Sequence, residues 1–177
     1  MKLAEQFIPR NGTLVFLRGE MPVSLEHIVF IDAHKIPADE AAAAQYVRSF
    51  SDSFIIAVRV LWSRVDCGEA RYDEAFLASL RTFLKNREMC STTRGAYEII
   101  VPECGDDVVQ SKEDAMQFTA AMCHTARRIK DCASVIGFAI PEIFSEQQAD
   151  AFIEAMRVKH EHYVFFSKTV RADTVVY

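Results

Sequence analysis

The sequence is poor in the residues that announce common chemistries. Its 177 residues hold six glycines, five prolines and one tryptophan, and the five cysteines, at 67, 90, 104, 123 and 132, include no Cys-x-x-Cys pair. Isolated thiols in odd number give neither a zinc pattern nor a disulfide framework. They fit a reducing compartment, where a buried cysteine acts as a small apolar residue. So few glycines leave no room for phosphate-cradling loops, and neither Gly-x-Gly-x-x-Gly nor Gly-x-x-x-x-Gly-Lys-Ser/Thr occurs. His-Glu-x-x-His and Gly-x-Ser-x-Gly are missing too. Positive charge is in deficit, 20 Lys and Arg against 25 Asp and Glu, so a general attraction to nucleic acid is not expected. Long apolar runs are absent. The run Phe54 to Trp62 has nine residues, where a membrane span needs about 20. The N-terminus lacks the apolar centre of a signal peptide, and the expectation is a soluble, cytoplasmic protein with no membrane partner.

What the chain does have is a globular balance, 50% hydrophobic and 25% charged residues, at a length that suits one domain over residues 1–177. Pro9 and Asn11-Gly12 are turn formers that place the first strand at Thr13 to Arg18. A second strand, Ile28 to Asp32, follows too soon for a parallel crossover, so the two are expected to be antiparallel neighbours or to lie in different layers. The alanine-rich stretch after Pro37, with carboxylates in its first turn, reads as a helix to Phe50. Phe54 to Trp62 is β-branched and continuous, as in a buried strand. Phe76, Leu77, Leu80, Phe83 and Leu84 mark one face of the next helix, and Asn86 to Gly95 reads as a loop.

The organising segment is the apolar run Tyr97-Glu-Ile-Ile-Val-Pro-Glu103, which ends at a proline and a glutamate. Val135 to Glu142 repeats the pattern, again closing on Pro-Glu, and each copy leads to a serine placed to cap a helix, Ser111 and Ser145. His162 to Lys168 is a further central strand, and Arg171 to Tyr177 an edge strand or a loose tail. Regular alternation of strand and helix predicts an α/β fold: a mostly parallel sheet of about six strands with helices on both faces. The alternative is a short or incomplete β/α barrel, since a full one takes about 250 residues. The repeated strand ends resemble those of barrel hydrolases in a general way.

In either architecture a ligand sits at the carboxyl ends of the strands. Those ends carry Asp32 and His34, Asp66, Glu103 with Cys104, Asp106 and Asp107, Glu142, and Lys168. The rim is polar and mostly acidic. Glu103 and Glu142 are the catalytic candidates, as two carboxylates able to divide acid and base roles. Asp32, His34, Arg59, Asp66 and Lys168 are the ligand-binding candidates. Arg59 is a charge inside a buried strand and needs a partner, for which Glu98 on the next strand is the expected choice. His160-Glu-His162 enters a strand at its amino end and reads as a solvated loop rather than a metal site. No metal is assigned, and the cofactor is left open. The reading is binding or hydrolysis of a small polar ligand, such as a carbohydrate. Its rival is a non-catalytic protein-interaction or homo-oligomerising module.

Overall fold

The computed structural model describes residues 6–37, 39–69, 71–90, 96–105 and 109–177. Asp106 and Asp107 lie outside the described residues. The chain opens with three short strands, β1 (Phe7–Arg10), β2 (Thr13–Phe16) and β3 (Met21–Val23), that form their own antiparallel sheet. Asn11 at φ 52° and Gly12 at φ 77° supply the two left-handed residues of a tight hairpin. The expectation that regular structure waits until Thr13 is therefore corrected: Asn-Gly joins two strands here, pairing Arg10 with Thr13. The first two sequence-predicted strands do fall in different layers.

The rest is a six-stranded parallel sheet in chain order, β4 (Val29–Asp32), β5 (Ile55–Leu61), β6 (Tyr97–Glu103), β7 (Val135–Ala139), β8 (Val164–Ser167) and β9 (Thr174–Val176). Its connections carry α1 (Glu40–Arg48), then α2 (Trp62–Val65) with α3 (Glu74–Cys90), α4 (Lys112–Arg128) and α5 (Glu146–Arg157). The polar segment read as a loop from Asn86 is helical as far as Cys90. Both anticipated serine caps form complete capping boxes, Ser111 with Asp114 and Ser145 with Gln148. These satisfy backbone N–H groups that a helix start leaves free.

The α/β class and the parallel sheet of six strands stand as read from the sequence, while the helices, expected on both faces, gather on one. Strand alternation sorts the side chains into two cores. Ile56, Val58, Val60, Ile100, Phe138 and Phe165 pack with Phe83, Phe118, Phe152 and the other helical residues. Ile55, Ala57, Ile99, Val101, Ala139, Val164 and Phe166 pack instead with Phe7 and Leu14 of the small sheet. The helices thus collect on one face, and β1–β3 cover part of the other. The sheet is also curled. Phe30 lies on one edge strand and Tyr177 directly follows the other, yet their ring centroids are 6.4 Å apart. Five flat strand spacings would separate the edges by about 24 Å, so the incomplete barrel describes this arrangement. Gly137 permits the close approach of β7 to β8, because a Cβ there would stand 1.8 Å from the Val164 carbonyl oxygen.

Candidate functional site

The inner face is filled at its amino end and open at its carboxyl end. At the filled end Tyr97 meets Phe7, Phe16 and Phe54 at ring-centroid distances of 4.8, 6.4 and 5.2 Å. At the open end, here the mouth, the same strands end in charged side chains. Parity selects them. Val101 points inward, so Glu103 does too; Ala57 points inward, so Arg59 does too.

Arg59 is the centre of the mouth. Its Nε lies 3.3 Å from Glu103 Oε1 and its Nη1 lies 3.7 Å from Asp32 Oδ1, which ties the ends of β4, β5 and β6 together. The guanidinium stands 4.9 Å above the Phe30 ring. The expected Arg59–Glu98 pair is not formed, because parity puts the two on opposite faces: Glu98 lies on the helical side, where it accepts a hydrogen bond from Arg87 Nε at 3.0 Å. The Asp32 carboxyl is held below its usual range, first by the Lys35 hydrogen bond and further by the positive charges of Lys35 and Arg59. His34 follows Asp32 in a short helical turn and adds to the same field.

Lys168 closes the mouth from the end of β8. Its Nζ lies 3.9 Å from the Tyr177 ring centroid and 5.4 Å from that of Phe30, and it donates to the Tyr177 carbonyl oxygen at 3.3 Å. These are cation–π distances. The Tyr177 phenol is shifted by burial and by nearby charge. Burial first, then the negative charges of Glu142 and Glu103, push it up to about 12. Glu103 is half-exposed and held by Arg59, whereas Glu142 is exposed and forms no ion pair among the described residues. Glu142 and Lys168 also line a cavity of about 250 Å³ between the ends of β7 and β8, with Ser167, Thr169 and Phe144. The helix-capping roles near both glutamates are taken by other residues, so neither carboxylate is spent on a helix N-terminus.

Among the sequence candidates, Asp32, Arg59, Glu103 and Lys168 meet around the two rings, and His34 adjoins Asp32. Asp66 serves the loop between α2 and α3, accepting from Trp62 Nε1 at 3.0 Å and from the Gly68 N–H at 2.8 Å. Phe30 and Tyr177 were missed. Their signal was alternation, since Phe30 shares the parity of Asp32 and Tyr177 that of the inward Val175. The His160 segment is no solvated loop. His160 is buried and stacked on Tyr163 at 5.3 Å, and burial depresses its imidazole to about 4. Cys104 packs against the helical core. No group of three His, Cys, Asp or Glu side chains among the described residues has a metal-holding arrangement, and no described helix is long and apolar enough to cross a membrane.

No family model matches the sequence, and no curated protein is similar to it. Solved structures are similar in fold. An endoglucanase from Pseudomonas stutzeri superposes with a TM-score of 0.58 at 14% identity, over 70% of this chain and 41% of its own. A glycoside hydrolase family 5 protein from Bacteroides vulgatus gives 0.59 at 15%, over 92% of this chain and 38% of its own. Another glycoside hydrolase gives 0.60 at 12%, over 92% and 40%. This chain spans less than half the length of each. At such identities the likeness is one of fold, that of a partial β/α barrel.

Proposed function

We propose that this chain binds a carbohydrate at the mouth, with Glu103 and Glu142 as the carboxylate pair for its hydrolysis. The observation that carries this reading is the cluster at the mouth: Lys168 over the Tyr177 and Phe30 rings, and Arg59 tying Glu103 to Asp32 beside them. Sugars present apolar C–H faces and many hydroxyls, so half-buried rings with charged donors and acceptors around them have the chemistry to hold one. Asp32, Arg59 and Lys168 would orient the hydroxyls, with His34 beside Asp32 and Asp66 securing the neighbouring loop. Glu103 is held in place by Arg59, whereas Glu142 forms no ion pair among the described residues, and the two would divide the acid and base roles between them. The glycoside hydrolases of similar fold support the choice of ligand class.

The test uses a panel of soluble saccharides for binding by calorimetry and aryl glycosides for turnover. Wild type should bind and cleave at least one member. Glu103→Gln and Glu142→Gln should each lower turnover by about 10² or more, with the melting temperature nearly unchanged. Binding without turnover would reduce the reading to carbohydrate recognition, and no binding to any member would overturn it.

A further inference from the structure

The sheet has one connection unlike the rest. Every crossover from β4 to β8 carries a helix, but β8 and β9 are parallel neighbours joined by residues 168–173 with none. α4 packs against α5, and beside α5 these residues leave an open groove of about 670 Å³. Glu146, Asp150 and Glu154 line it, all exposed. Their spacing of four sets them in a single ridge along α5. Asp150 is paired with Arg171, but Glu146 and Glu154 form no ion pair among the described residues. Val170 stands at the edge of the groove, 87% exposed, more than any other large apolar residue described.

The opposite charge lies elsewhere on the same chain. A second groove, of about 500 Å³, runs between α3 and α4, with Arg81, Arg127, Arg128 and Lys130 along it and Asp131 as its one carboxylate. Arg81 is satisfied by Asp131 and Arg128 by Glu74. Arg127 and Lys130 form no ion pair among the described residues. The α5 surface is therefore acidic apart from Arg157 and Arg171, and the α3–α4 surface is basic apart from Asp131. Beside Glu146 and Glu154, Arg157 and Asp173 of the first surface also form no ion pair among the described residues.

We propose that this chain associates with itself head to tail, the acidic ridge of α5 in one copy lying in the α3–α4 groove of the next. The occupant is a second copy because the complementary charges are both on this chain. The two surfaces differ, so the contact is heterologous and propagates into a ring or a filament. Exposed ion pairs are individually weak and screened by salt, which makes the association concentration- and salt-dependent. Val170, beside the ridge, adds apolar contact.

The experiment is sedimentation velocity over a concentration series at about 0.01 M and about 1 M ionic strength, where the Debye length is about 30 Å and about 3 Å. Wild type should associate at low salt and dissociate at high salt. Glu146→Lys with Glu154→Lys reverses the ridge, and Arg127→Glu with Lys130→Glu reverses the groove. Each double variant should be monomeric alone, and mixing the two should restore association, since each then meets its opposite. The ridge variant also takes the formal net charge from -5 toward zero, so if net repulsion alone governed assembly it would associate more strongly than wild type. That result overturns the proposal, as do a wild type monomeric throughout and an association that both double variants retain. Circular dichroism verifies folding, and Glu146→Gln with Glu154→Gln and Arg127→Gln with Lys130→Gln replace any reversal that fails it; each should weaken association, and no change would again count against the proposal.

Discussion

Two of the arginine–glutamate pairs in this fold, Arg87–Glu98 and Arg59–Glu103, have surroundings that assign them opposite tasks. Arg87 and Glu98 are 1% and 0% exposed at the side chain, while Arg59 and Glu103 are 41% and 39% exposed. The buried pair joins α3 to β6, and Arg87 also donates to the carbonyls of Phe50 and Ser53. Burial raises the Glu98 carboxyl against the opposing pull of Arg87 and Ser134. A charge in such a place is tolerable only while paired. The mouth pair is half in water and spans strand ends where a ligand would sit. The first is therefore structural, and the second is free to serve binding.

The largest effect should come from breaking the buried pair. Arg87→Met leaves a carboxylate without its partner and should cost about 3 to 5 kcal/mol, read as a fall in the denaturant midpoint. Phe83→Ala provides the scale, because that ring is fully buried in the helical core and its loss should also cost about 3 to 5 kcal/mol. An Arg87→Met cost below about 1 kcal/mol would place Glu98 in reach of water and erase the contrast between the pairs.

A smaller effect, confined to one pH window, should come from the sealed end of the barrel. His160 is buried, and its folded value of about 4 lies below the ordinary 6.5. Between those values the unfolded chain binds more protons than the folded one, so stability is complete above 6.5 and declines as pH falls toward 4. His162, Arg127, Lys130 and Lys159 face it with positive charge in the same sense. Asp32 adds a separate loss below its ordinary 3.8, since its folded value is lowered. Urea melts of wild type and His160→Phe at pH 7, 5.5 and 4.5 would separate the two; a variant as acid-sensitive as wild type would move the cause to other groups.

Much of this contrast was legible before any coordinates. The parallel alternation, both serine caps and the core face with Phe83 follow from local rules of period and capping, which depend on near neighbours along the chain. The mouth was legible as a rim, because strand ends are set by Pro102 and Pro141. Partner choice was not. Arg59 and Glu98 lie on adjacent strands, and only the register, which pairs Arg59 with Val101 and Ile56 with Glu98, shows that their side chains leave opposite faces. Tyr177 was hidden for another reason: its role depends on the sheet curling until β9 returns toward β4, a property of the whole sheet rather than of any segment.

The smallest change in stability, and the sharpest in function, should come from Arg59→Met. The side chain is 41% exposed and its carboxylate neighbours Glu103 and Asp32 are 39% and 21% exposed. Such pairs contribute within about 1 kcal/mol, because water solvates the separated charges nearly as well, and the methionine stem can still cover Phe30. The denaturant midpoint should therefore barely move. Binding is another matter, since Arg59 holds Glu103 and Asp32 together and presents its remaining donors to the mouth. Saccharide affinity should fall at least about tenfold, an amount equal to about 1.4 kcal/mol, and Arg59→Lys should recover only part of it because an ammonium cannot bridge two carboxylates with a planar fork. If Arg59→Met instead costs as much stability as Arg87→Met and leaves binding unchanged, the mouth pair is a structural clamp like the buried one, and the ligand site lies elsewhere.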